Sequence, residues 1–226
     1  MKSLMTIVFV MSCYVSQGQG IKDYSFTGGV YWNTYALSDL KDYQSLFNSF
    51  LPNTHEISDF TSSLAFDVMI RRSMSFGEIG IWSAYQSADA GSNHTGFLGS
   101  SYRTAFELQA IVFGVAYRKS VFNPRLFFEG RVGLAFNKFV FDEVLESPGF
   151  FRGLSSEYQS VSPTLWAGLE YQLLAIPKLS LITIVDFSNL GPALKLKEEP
   201  IPDFPPNFDD VKVDWTGFKF GVRIGI

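Results

Sequence analysis

Cysteine occurs once in this chain, as Cys13, so neither a disulfide framework nor a cysteine-based zinc site can organise it. Charge is scarce too: 18% of residues are charged, against roughly 25% in ordinary soluble domains, and mean hydropathy is +0.11. That much apolar surface with so little net charge excludes disorder over most of the chain. Basic residues are not in excess; 18 Lys+Arg stand against 22 Asp+Glu, a net charge of −4 without the cationic footprint that nucleic-acid binding requires. No run of 18 or more consecutive apolar residues is present, which excludes a protein that crosses membranes with helices. Phosphate-binding glycine loops, nucleotide fingerprints and Cys/His metal spacings are also missing, so neither cofactor nor metal is expected.

What the chain has is aromatic residues (16%) and period-two alternation over a length of 226 residues that suits one domain. Residues 1–20 have the layout of a secretory signal peptide: Lys2, the apolar stretch Leu4–Met11, then Ser16, Gln17, Gly18, Gln19 and Gly20. Cleavage after Gly18 or Gly20 removes the cysteine. Val10-Met11-Ser12-Cys13 loosely matches a lipobox, with Met11 a poor fit, so lipidation of Cys13 is a minor alternative. Residues 21–226 are then one exported domain.

Eight alternating segments follow. Tyr102–Tyr117 has Tyr102, Thr104, Phe106, Leu108, Ala110 and Val112 on one face, and Arg103, Glu107 and Gln109 on the other before Ile111, Phe113 and Val115. Arg125–Lys138 sets Leu126, Phe128, Val132 and Leu134 against Glu129 and Arg131; Tyr158–Gln172 sets Leu165 and Leu169 against Glu170. At the C-terminus Phe218, Phe220, Val222 and Ile224 alternate with Lys219 and Arg223. Ser25–Tyr35, Thr61–Arg71 (with Asp67 and Arg71), Gly77–Gln86 (Glu78) and Leu179–Ser188 (Asp186) complete the set. Short connections at 72–76, 118–123 and 174–178 alternate with long ones at 36–59, 87–101, 142–156 and 189–210. Compact soluble domains rarely hold several such loops, whereas transmembrane barrels alternate brief turns with extended loops.

Inside lipid every backbone polar group needs a partner, so strands span only as a sheet without edges. The expected fold is therefore all-β: an eight-stranded antiparallel up-and-down transmembrane β-barrel with long extracellular loops and a short helix in the first. The soluble competitor is a lipocalin-like ligand cup with its apolar face turned inward. The polar face here is rich in Gly, Ala and Ser, which suits a narrow interior better than a solvated exterior, and Gly29-Val30-Tyr31-Trp32 lacks the spacing of the lipocalin signature.

The leader, the alternating strands and the terminal Trp215-Thr216-Gly217-Phe218-Lys219-Phe220-Gly221-Val222-Arg223-Ile224-Gly225-Ile226 resemble a small outer-membrane β-barrel of Gram-negative bacteria, more particularly the outer-membrane β-barrel domain proteins of Bacteroidetes-type organisms. The resemblance implies outer-membrane localisation and recognition of the last strand by the barrel-assembly machinery, although this chain ends in Ile226 where the family pattern has an aromatic residue.

Each strand then divides into two expected roles. Membrane-facing positions are Phe106, Leu108, Val112, Phe128, Val132, Leu134, Leu165, Leu169, Phe218, Phe220, Val222 and Ile224. Lumenal ion-pair candidates are Asp67, Arg71, Glu78, Arg103, Glu107, Glu129, Arg131, Glu170, Asp186, Lys219 and Arg223, since buried charges are tolerated only when paired. In the first loop Ser38 precedes a helix over Asp39–Leu51 with Leu40, Tyr43, Phe47, Phe50 and Leu51 on one stripe, which suits a plug or lid for the mouth and equally a contact with the outer leaflet or a partner. His55 and His94 fall in loops with no spacing that fixes a catalytic triad, and Asn93-His94-Thr95 is a formal sequon that a bacterial barrel leaves unused. The last loop gathers Glu198, Glu199, Asp203, Asp209 and Asp210 among prolines, read as a solvated acidic loop rather than a cation site. The functional expectation is a non-enzymatic barrel with a structural, adhesion or docking role. Its partners would be outer-membrane lipid, lipopolysaccharide, the assembly machinery and an envelope protein met by the loops. A small-solute channel, a lipid A-modifying enzyme and a soluble carrier are the alternatives.

Overall fold

Alternating side chains make strands long enough to exhaust most of the chain. The computed structural model describes residues 23–50, 60, 64–95, 100–188, 192–196 and 211–226; residues 1–20, expected to be a leader, lie outside them. The strands of the ring are β1 (Tyr24–Tyr35), β2 (Leu64–Met74), β3 (Gly77–Thr95), β4 (Ser101–Val121), β5 (Asn123–Ser147), β6 (Phe150–Ala175), β7 (Lys178–Phe187) and β8 (Gly217–Gly225); a two-residue strand, Lys195–Leu196, pairs with β6 at Tyr158 and Gln159, and among the described residues one helix, α1 (Ser38–Phe50), follows β1. Each strand pairs antiparallel with the next, and β8 pairs with β1 from Tyr35↔Gly217 to Thr27↔Gly225. Closure leaves the ring no edge.

The register fixes the barrel's dimensions. From Val30 the paired residues run through Phe66, Tyr85, Ile111 and Phe136 to Val161 on β6. In the other direction they run through Val222 and Leu181 to Tyr171, ten residues along the same strand. Eight strands with that stagger tilt by about 40° and enclose an interior just wide enough for side chains to fill. Packing is close where Gly114 of β4 meets Gly133 of β5: a Cβ at Gly114 would overlap Val132 O and lie 2.8 Å from the Trp82 indole nitrogen.

Strand lengths are unequal. β1, β2, β7 and β8 have 12, 11, 10 and 9 residues, enough at about 3.3 Å per residue to cross a bilayer core when tilted. β3 to β6 have 19, 21, 25 and 26 and carry one side of the wall far beyond the ring. Two of the four segments read as long loops are therefore largely strand. Residues 142–156 form the head of the β5–β6 hairpin, closed by Pro148-Gly149 with Gly149 at φ +81°. Most of 87–101 extends β3 up to Thr95. Small and polar residues interrupt the apolar alternation in both segments, and cross-strand pairing rather than alternation makes them strand. At the opposite end β2–β3, β4–β5 and β6–β7 turn within one or two residues, at Ser75-Phe76, Phe122 and Ile176-Pro177.

The mouth at the loop end is stoppered from two sides. Leu37 and Leu40 at the start of α1 are buried in one apolar cluster with Leu194, Val211, Val213 and Trp215, which come from the β7–β8 connection, and with Phe106, Phe139, Phe141 and Tyr158 of the wall. Hydrogen bonds tie the two segments: Leu37 N–H donates to the backbone Asp214 O at 3.0 Å, and Lys212 N–H donates to the side-chain Asp39 Oδ2 at 3.2 Å. Trp215 donates its indole N–H to Asn137 Oδ1 at 2.8 Å, and Asn137 Nδ2 donates to Ser162 Oγ at 2.8 Å. The side chains of Tyr43, Phe47 and Phe50, and all of Leu51, lie outside the described residues.

Candidate functional site

The barrel interior is the most organised polar region of the molecule. Below the stopper and toward the turn end, four arginines interleave with four carboxylates. Arg223 Nη1 lies 2.7 Å from both Glu129 Oε2 and Glu170 Oε2. Arg131 reaches Asp67 Oδ2 at 2.6 Å and Glu129 Oε1 at 2.5 Å. Arg118 joins Glu170 Oε1 at 2.8 Å to Glu78 Oε1 at 3.1 Å, and Arg71 lies 3.3 Å from Glu78 Oε2. Tyr31 completes the layer, donating its hydroxyl proton to Asp67 Oδ2 while accepting from Arg223 Nη2 at 2.8 Å.

One level nearer the mouth, Lys219 pairs with Asp186 Oδ2 at 3.2 Å and donates to Gln86 Oε1 at 2.7 Å. Asp186 also accepts from Ser188 and from Thr164 Oγ1. Trp82 and Trp166 meet at 4.5 Å between ring centroids, with the Arg131 guanidinium over both and the Lys219 ammonium 4.7 Å from Trp166. Five cations thus face five anions in this interior, and nearly all of them are shielded from solvent. Buried charge of either sign without a partner would cost several kcal/mol, so equal numbers in contact are the condition for ionised groups to persist here.

Of the expected lumenal residues, Asp67, Arg71, Glu78, Glu129, Arg131, Glu170, Asp186, Lys219 and Arg223 lie together in this network. Arg103 and Glu107 do not: both sit exposed on the outer face of β4, above the ring. The same inversion affects the apolar positions. Phe128, Val132, Leu134, Leu165, Leu169, Phe218, Phe220, Val222 and Ile224 point outward and are exposed. Phe106, Leu108 and Val112 point inward, with 1%, 0% and 0% exposure, and the outward apolar residues of β4 are Ile111, Phe113 and Val115.

The physical reason is a change of surroundings along one strand. In its upper half β4 packs its inner face on the apolar stopper and turns its outer face to water. In its lower half the outer face is the apolar one and the inner face narrows to Gly114 and Ala116 before Arg118. A single rule of parity cannot describe both halves. The sequence reading also missed Arg118, placed in a turn, and Tyr31; the continuation of alternation from Val112 through Gly114 and Ala116 is the signal that would have found Arg118.

Outside the ring, apolar residues form a continuous band that includes Trp32, Val68, Ile81, Phe113, Leu134, Leu169, Leu181 and Phe220. The pockets described lie outside the interior: an apolar notch of about 350 Å3 at Ala175–Lys178 and a mixed one of about 300 Å3 lined by Arg103, Asp142, Val144, Leu154 and Ser155. His55 and the acidic run Glu198–Asp210 lie outside the described residues. His94 is in β3, with its side chain outside them. Among the described residues no group of three or more His, Cys, Asp or Glu is placed to hold a metal ion.

A closed eight-stranded antiparallel barrel with an ion-paired interior and an apolar outer band is the architecture by which β-strands cross a membrane. Two solved structures of Ail, the attachment invasion locus protein of Yersinia pestis, one in complex with the heparin analogue sucrose octasulfate, are similar to this chain. They share 15% and 14% identity with it, cover 90% of this chain and 98% of their own, and superpose with TM-scores of 0.45 and 0.41. No protein-family model and no curated protein matches the chain.

Proposed function

We propose that this chain is a non-enzymatic integral outer-membrane barrel, exported by its leader, whose loop-end hairpins serve a structural, adhesion or partner-docking role. The observation that carries this reading is the opposition of the two faces of the ring: exposed apolar side chains outside, five ion pairs' worth of charge inside. In water the outer band would be an exposed apolar surface far larger than soluble monomers carry, while in lipid it is ordinary. Among the described residues the interior is filled by ion-paired side chains and stoppered by Trp215, Leu37 and Leu40, which favours a scaffold over a channel or carrier. The wall formed by β3 to β6 beyond the band puts alternating polar residues, among them Asp89, Glu107, Lys138, Asp142 and Glu157, where a partner or lipopolysaccharide would meet them.

Expression of the full chain in a Gram-negative host followed by membrane fractionation tests the reading. The protein should remain in the outer-membrane fraction, need detergent for extraction, and change electrophoretic mobility when boiled. Recovery as a folded monomer in the soluble periplasmic fraction would overturn it.

A further inference from the structure

The three short turns share an unusual composition. Turns between paired strands ordinarily use Gly, Asn, Asp or Pro at their apices. Here such residues are present, as Gly77, Asn123-Pro124 and Pro177, but each turn also carries a large apolar side chain, Phe76, Phe122 and Ile176, exposed by 53%, 106% and 93%. Each stands beside a cation: Arg72 near Phe76, Lys119 and Arg125 on either side of Phe122, and Lys178 two residues from Ile176. None of these four cations forms an ion pair among the described residues, and outside the barrel interior the only described acidic side chain at this end is Asp23. The loop end is the reverse. Its outer wall carries Asp89, Glu107, Asp142, Glu146 and Glu157 against Arg103 and Lys138. Beside the third turn, Ile176 and Lys178 wall the apolar notch of about 350 Å3, closed on its other side by Gly225 and Ile226.

Exposed apolar side chains on three separate turns call for a common cover, and free cations at the same level require that cover to be anionic. Tyr24, Tyr117 and Tyr171 ring the same level, as amphipathic aromatics do at a membrane–water boundary, and Arg72 lies 5.7 Å over the Tyr24 ring. We propose that the turn end is seated in a layer of anionic phospholipid headgroups, with Phe76, Phe122 and Ile176 entering the acyl margin and Arg72, Lys119, Arg125 and Lys178 meeting the phosphates. The inference rests on the membrane reading above and adds to it a lipid preference at the turn end.

The test uses the full chain in nanodiscs of equal parts phosphatidylcholine and phosphatidylglycerol, with bound lipid identified by native mass spectrometry. Phosphatidylglycerol should be enriched about threefold or more over phosphatidylcholine, and high salt should abolish the enrichment. The variant R72Q/K119Q/R125Q/K178Q should insert but retain lipids at the input ratio. Wild-type retention at the input ratio, or enrichment unchanged in the variant, overturns the proposal. A second measurement requires no change of charge: a polarity-sensitive dye at Ser75→Cys, with Cys13 replaced by Ser, should report an apolar surrounding once the protein is in vesicles. A dye that reports bulk water in an inserted barrel overturns the proposal and points to a periplasmic protein as the cover of the turns. Failure of the chain to enter vesicles of either composition overturns the membrane reading as well, whereas insertion without lipid preference removes this inference alone.

Discussion

Arg223 on β8 and Glu129 on β5 meet across the barrel interior, Nη1 2.7 Å from Oε2 and Nη2 3.1 Å from Oε1, although their strands are not neighbours in the sheet. The ring is therefore held at a fixed width by contacts through its centre as well as by its backbone ladder. Because Arg223 also reaches Glu170, Asp67 and Tyr31, it is the cation on which the largest number of interior acceptors depends.

Removing that cation leaves three carboxylates with less compensating charge in a site without water access. Arg223→Gln should lower the stability of the folded barrel by about 3–5 kcal/mol, the range for breaking a buried ion pair on one side only. Urea unfolding in detergent micelles, followed by tryptophan fluorescence, measures it; a change below about 1 kcal/mol would show that the network is not energetically coupled.

The outer band separates lipid from water as its solvent. Leu165→Arg lies well inside the band and should cost about 2–4 kcal/mol in vesicles, while Gln159→Arg, on the same strand above the band, should cost about 0–1 kcal/mol. Equal effects at the two positions in reconstituted protein would be incompatible with a lipid-facing surface.

The stopper depends on Trp215, fully buried and bonded to Asn137. Trp215→Phe keeps the apolar volume but leaves Asn137 Oδ1 without its donor, and should cost about 1–3 kcal/mol. Trp215→Ala removes the packing as well and should cost about 3–5 kcal/mol. Limited proteolysis in whole cells should cut Trp215→Ala within the β7–β8 connection at protease levels that leave the wild type intact. Equal resistance would mean that the connection is held by something other than this side chain.

With the ionic layer and the stopper both in place, the purified barrel should show no discrete conductance steps in planar bilayers. Trp215→Ala should also remain silent, because the layer built on Arg71, Arg118, Arg131 and Arg223 lies beneath the stopper. Steps in the wild type would falsify the filled-interior account and favour a channel.

Much of this architecture was legible in the residues. Phe218, Phe220, Val222 and Ile224 alternate with Lys219 and Arg223 without interruption, because β8 lies wholly within the band and meets one environment on each face. β4 was not legible by the same rule. Phe106 and Leu108 look like outward residues until the stopper is known to fill the mouth behind them, and Arg103 and Glu107 look lumenal until the strand is seen to rise above the band into water. Arg118 was hidden because a strand that continues to its last residue and a turn that begins early read alike in one dimension.

The chain's own order of residues determined a closed, eight-stranded barrel with two chemically opposed faces, since period-two alternation and the need to satisfy every backbone group admit few other solutions. Tertiary structure alone decided the stagger of ten residues, the tall wall of β3 to β6, the descent of Trp215 into the mouth and the partnering of Arg118 with Glu170 and Glu78. These are contacts between residues far apart in sequence. Their energies depend on which solvent, lipid, water or protein, surrounds each stretch of strand, and that is settled only when the ring has closed.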